Sequence, residues 1–181
     1  MNILESTQWR TALIYGPPHP NIGRLIVDIA VKLVEEGYNT LVIDANHRIT
    51  PDMLISIEDK VLKRILLIKP SSIKSSSDIM DYLVFDYRRQ MENIAVIYAS
   101  VFIQIPYHYW TLFNYDPLFI IFAIAELSRK IKNFKGVVFI DTNVQEPSSL
   151  PYHERFIELF DIIYKLRFTE ERFSLEPSSI L

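Results

Sequence analysis

Residues 16–25, GPPHPNIGRL, carry the most suggestive spacing of chemically useful residues in this chain. An apolar run (Thr11–Tyr15) leads into Gly16, a loop follows, and an apolar-periodic stretch begins near Ile22. Loops that cradle phosphate have this order and read G-x-x-x-x-G-K-[ST]. Their backbone amides hold the phosphates, the lysine reaches the terminal ones, and the hydroxyl ligates magnesium. Here the gap between Gly16 and Gly23 is two residues longer, with Arg24 at the lysine place and Leu25 at the hydroxyl place. Arginine keeps the charge but not the compact head of lysine. Leucine offers a metal no oxygen. Pro17, Pro18 and Pro20 also remove amides from the loop. Arg24 has an alternative task, pairing with Asp28 one helical turn on.

Other chemistry is sparse. There is no cysteine, which excludes disulfides, thiolate metal sites and a catalytic thiol. His19, His47, His108 and His153 are scattered without metal-ligand spacing, so no metal site is expected. The net charge of −3 gives no support to a nucleic-acid binder acting through bulk charge. At 181 residues and 49% hydrophobic content, one folded domain spanning residues 1–181 is expected. The apolar stretch Val101–Ala125 is interrupted by Pro106, His108, Asn114, Asp116 and Pro117, which argues against a membrane helix.

Short apolar runs alternating with amphipathic stretches indicate an α/β protein. Ile22, Leu25, Ile26, Ile29, Ala30, Leu33 and Val34 recur at helical spacing, with Asn21 placed to cap the start and Gly37 to end the helix. A strand is predicted over 40–44, and Thr50-Pro51-Asp52 carries the signals of a second helix start. Further strands are predicted over 64–69, 94–99 and 136–141. Helices are predicted from Ser77-Asp78 to about Met91, from Asp116-Pro117 to about Asn133, and in a short stretch through Phe160. The C-terminal part alternates around Thr169-Glu170-Glu171 as a β-hairpin does. Such an order requires a mostly parallel sheet with helices on both faces, whose ligands sit at the strands' carboxyl ends. Gly16, Asp44, Ala99 and Asp141 are the residues at those ends.

Taken in order, these ends resemble the ATPase core of the RecA/RadA recombinase superfamily, a three-layer α/β sandwich of the P-loop type. The stretch VIDANHRITPDML (42–54) is similar to a strand ending I-D-T-E, followed by a loop, F-R-P-E-R and a helix. Asp44 keeps the aspartate, Ala45 stands at the threonine, Asn46 at the glutamate, and Pro51-Asp52 at the proline and acid. VVFIDTNVQ (137–145) is similar to the strand ending T-N-Q-V, which puts Asn143 at a nucleotide-sensing position. VIYAS (96–100) is similar to the Walker B strand VVVDS, with Ala99 in place of its acid. The resemblance runs from Leu13 to about Glu176.

The family's ATP chemistry needs the lysine, the hydroxyl, the glutamate and the Walker B acid. This chain has Arg24, Leu25, Asn46 and Ala99 instead. The resemblance, with these departures, implies a degenerate nucleotide site made of Gly16, Gly23, Arg24, Leu25, Asp44, Asn46, Ala99 and Asn143. It implies no ATPase activity, and ATP and Mg²⁺ are not expected as cofactors. The expected role is that of a non-catalytic RadA paralogue, an accessory or assembly factor in homologous recombination and DNA repair with a cytoplasmic location. Its partner would be a recombinase, another recombinase paralogue, or a second copy of itself. The helical N-terminal domain of RadA proteins is expected to be absent. Two rivals are a KaiC-like or RecA-like ATPase or signalling domain with residual ATP binding, and a small DNA-binding module.

Tyr107, Tyr109, Trp110, Phe113 and Tyr115 follow the Walker B-like strand, where the family places its first DNA-binding loop. With no Lys or Arg between Val101 and Leu127, core packing or a partner interface suits them better than DNA. The candidates for DNA contact are Lys60, Lys63, Arg64, Arg129, Lys130 and Lys132, and binding through them is expected to be weak.

Overall fold

The computed structural model describes residues 9–70, 93–101, 117–142, 157–169 and 172–178. Seven strands form one sheet: β1 (Thr11–Gly16), β2 (Asn39–Asp44), β3 (Ile65–Ile68), β4 (Asn93–Val101), β5 (Asn133–Asp141), β6 (Ile162–Thr169) and β7 (Arg172–Pro177). Their spatial order is β3-β2-β4-β5-β1-β6-β7. Every neighbouring pair is parallel except β6 and β7, whose antiparallel register closes with Thr169 opposite Arg172. The expected mostly parallel sheet and C-terminal hairpin are both present.

Alternation along the strands divides the core in two, because successive side chains point to opposite faces. Leu13, Tyr15, Leu41, Ile43, Val96, Tyr98, Val138 and Ile140 meet Ile121, Ile124 and Leu127 of one helix, α3 (Pro117–Lys130). The intervening residues Ala12, Ile14, Val42, Ala95, Ile97, Val137 and Phe139 pack against Leu25, Ile26, Ile29 and Leu33 of α1 (Ile22–Glu35). Helices therefore cover both faces.

Local signals worked unevenly. Gly37 ends α1 at φ 98°, a conformation that other residues adopt at a cost. Asn21 does sit at the N-cap of α1, but its side chain makes no capping bond. The predicted helix at Thr50-Pro51-Asp52 shrinks to a single 3₁₀ turn, Pro51–Met53, with a short α2 (Asp59–Leu62) after it. Thr50's hydroxyl bonds the Asp52 carboxylate at 3.0 Å and caps no backbone amide. The helix predicted over 77–91 lies outside the described residues.

Candidate functional site

The strand order sets the carboxyl ends of β2, β4, β5 and β1 side by side. Asp44 is in register with Ala99, and Gly16 with Asp141. The chain leaving β2 donates from the Ala45 amide to the Ala99 carbonyl (3.0 Å), and the Thr142 amide donates to Gly16 (2.6 Å). The four predicted strand ends thus line one edge of the sheet.

Two buried carboxylates organise that edge. Asp44 accepts the amides of Arg48 (3.0 Å, Oδ1) and Ile49 (2.9 Å, Oδ2). Asp141 takes the Arg48 guanidinium at 3.1 Å and the Asn46 side-chain amide at 3.3 Å, both on Oδ2. Burial pushes the Asp141 carboxyl above its ordinary range, the Arg48 cation and its hydrogen bond oppose this, and the Asp44 charge adds to it. Residues 45–50 consequently form a strap over the edge. His47 bends it at φ 54° and lies 3.0 Å (Nε2) from the Pro70 carbonyl, while Lys69 donates to the Ile49 carbonyl.

The strap rests on the first turn of α1. A Cβ at Gly23 would lie 2.1 Å from the Arg48 carbonyl oxygen, so glycine is required there by another backbone segment. Gly16 is likewise pressed against β6, where a Cβ would come within 2.7 Å of the Leu166 carbonyl oxygen. Between them, the His19 ring stacks on Phe168 (centroids 3.7 Å apart, planes at 12°). His19 also accepts the amide of Asn21 on Nδ1 and that of Ile22 on its carbonyl, each at 3.1 Å.

Arg24 is turned along its own helix. Its Nε pairs with Asp28 at 3.1 Å and its Nη1 donates to the Met53 carbonyl at 3.3 Å. Leu25 is fully buried beneath α1, and Ala99 is 1% exposed inside the same core cluster. Of the predicted site, Gly16, Gly23, Asp44, Asn46 and Ala99 come together at this edge, while Arg24 and Leu25 point elsewhere. Asn143 and the aromatic set Tyr107, Tyr109, Trp110, Phe113 and Tyr115 lie outside the described residues. Arg48 was missed by sequence reasoning. The one available signal was a cation four residues beyond a strand-end aspartate.

Four of the six basic candidates are paired within the protein. Arg64 donates to Gly37 (2.6 Å), Val34 (3.4 Å) and the Asn39 side chain (3.1 Å), tying the start of β3 to the end of α1. Lys60 pairs with Glu58 at 2.6 Å, and Lys130 and Arg129 share Glu126 at 2.6 and 4.0 Å. Lys63 and Lys132 are exposed. Among the described residues no cluster of His, Asp or Glu could hold a metal, and no helix is long and apolar enough to cross a membrane.

This architecture is a RecA-like α/β fold, a mostly parallel seven-stranded sheet between helices. The crystal structure of a RadB recombinase superposes on it with a TM-score of 0.62, covering 93% of this chain and 81% of that one at 14% sequence identity. No family model and no curated protein sequence matches the chain.

Proposed function

We propose that this protein is a non-catalytic RecA/RadA-like paralogue, an accessory or assembly factor in recombination that works through protein–protein contacts. The observation that carries the reading is how the groups at the strand ends are engaged. Arg24 is bonded to Asp28 and Met53, Asn46 to Asp141, and Leu25 is enclosed in the core. Ala99 brings no carboxylate.

The fold family implies Mg-ATP, and the residues present do not fit it. A triphosphate needs converging amides and cations. This edge instead presents three prolines, two carboxylates and one arginine already paired to one of them. An asparagine where a base would orient water cannot accept a proton. A sheet retained without the chemistry is then most useful as a docking body, and the likeness to a RadB recombinase makes a recombinase or a related paralogue the partner we favour.

The test pairs two measurements. Steady-state phosphate release by pure protein, with and without single-stranded DNA, should stay at background. Affinity capture of the tagged protein from native extract should enrich a recombinase or a paralogue. Turnover that is lost on Arg24→Ala would sink the reading.

A further inference from the structure

The chain's own backbone crosses the strand ends at residues 45–50, and this goes beyond the loss of catalytic side chains. We infer that the strap, residues 45–50, is an intramolecular occupant of the strand-end site, so that restoring the missing side chains would not restore nucleotide binding. This rests on the reading above and deepens it.

Four observations converge. Asp44 spends both oxygens on the strap, one on the Arg48 amide and one on the Ile49 amide. Asp141 receives the strap's Asn46 and Arg48 side chains on a single oxygen. The strap's carbonyl at Arg48 then lies against the α carbon of Gly23, in the first turn of α1, so close that a Cβ there would come within 2.1 Å of it. On the other side, His19 takes up the Asn21 and Ile22 amides and is itself held by Phe168.

The consequence is electrostatic as well as steric. The strap brings a carbonyl oxygen to the first turn of α1 with two buried carboxylates behind it, and Arg48 pairs with only one of them. Exchanging Arg24 for lysine adds no charge, because both are cationic. A hydroxyl at position 25 would face the sheet, as Leu25 does now. The strap must leave before anything anionic can enter, and it is held from β2, from β5 and by Lys69.

Two experiments test this on the full chain. In the first, binding of a fluorescent ATP analogue with Mg²⁺ is measured for the wild type, for Arg24→Lys, and for the double variant Arg24→Lys/Leu25→Thr. Arg24→Lys changes an exposed side chain and keeps the test valid should the double variant fail to fold. None is expected to bind at millimolar nucleotide. Binding by either variant but not by the wild type would overturn the strap proposal and leave the functional reading standing. Binding by the wild type would overturn both.

The second experiment reads the strap directly by amide hydrogen exchange. The Arg48 and Ile49 amides should exchange at least ~100-fold more slowly than in an unstructured peptide, as closed segments do. Asp44→Asn keeps one acceptor but turns an NH₂ group on a strap amide, and should speed exchange at Arg48 or Ile49 by ~10-fold or more. Unprotected amides in the wild type, or protection unchanged in Asp44→Asn, would refute the strap as an occupant.

Discussion

Replacing Gly23 with alanine separates two explanations of a glycine at the start of α1. A glycine kept for phosphate would tolerate a methyl group in the ligand-free protein, and alanine would even favour the helix by up to ~1 kcal/mol. In this structure the methyl carbon would lie 2.1 Å from the Arg48 oxygen, 2.7 Å from its carbonyl carbon and 3.1 Å from the Met53 sulfur. An unstrained carbon–oxygen contact is about 3.3 Å, so the strap must retreat by roughly 1.2 Å. It cannot retreat freely, because the Arg48 and Ile49 amides are held by Asp44 and the guanidinium by Asp141. Overpacking of this kind costs ~1–3 kcal/mol after relaxation. For a chain of this length that is a fall in Tm of about 3–10 °C. Thermal melts followed by circular dichroism, with urea midpoints beside them, supply the assay. Gly37→Ala is the control: its Cβ would meet nothing within 4 Å, so only the left-handed backbone is strained, and Gly37→Asn should recover part of the loss. A Gly23→Ala protein as stable as the wild type, or more so, would refute the packing argument.

Other outcomes follow from the same geometry. The Asp141 pKa is raised above 3.8, so the folded state binds the extra proton between that value and the folded pKa. This contribution is fully present below the unfolded pKa and is lost as pH rises through the folded one. Relative to Asp141→Asn, the wild type should therefore gain stability on going from pH 7 to pH 4 in urea titrations. A flat or inverted difference would contradict the assignment. Arg64→Ala should cost ~1–2 kcal/mol, since a cation's bonds to helix-terminal carbonyls are lost at a partly exposed site, whereas Lys63→Ala should change stability by less than ~0.5 kcal/mol. Lower DNA affinity with unchanged stability in Arg64→Ala would show that its role is not structural. Any DNA binding by the wild type should be weak and steeply salt-dependent in fluorescence anisotropy, and tight binding that survives high salt would point to aromatic stacking.

The sheet was legible because buried parallel strands are continuous apolar runs, and α1 because Leu25, Ile26, Ile29 and Leu33 return at one helical face. The region after β2 was less so. Thr50-Pro51-Asp52 satisfies every local rule for a helix start, yet Met53, Leu54 and Ile57 after it reach the core only partly buried, and Ile55 is 82% exposed. With burial this slight, local signals yield one tight turn. Asn21 failed as a capping side chain because its backbone, at φ −83° and ψ 0°, is not in the extended conformation from which an N-cap side chain reaches the first-turn amides. The partner of Arg48 could not be read from its place four residues beyond a strand-end aspartate. That partner is Asp141, 93 residues away, and nothing in either segment alone announces the pair.

What the strap leaves to explain is where the protein makes its contacts. Tyr107, Tyr109, Trp110, Phe113 and Tyr115 lie outside the described residues, so the argument for them is one of composition. Interface hot spots are enriched in Trp and Tyr and depleted of charge at their centre, and this stretch has that character. A hot-spot tryptophan contributes about 2 kcal/mol or more, so Trp110→Ala should weaken association with a partner, or with a second copy, by roughly 30-fold. An interface residue is exposed in the free protein, so the Tm of the isolated chain should move by less than about 2 °C, whereas emptying a core position costs 3–5 kcal/mol. Biolayer interferometry against the captured partner, sedimentation velocity for self-association and a thermal melt together give both numbers. A large loss of Tm with association unchanged would place these aromatics in the core and move the search for the docking surface elsewhere on the sheet's two helical layers.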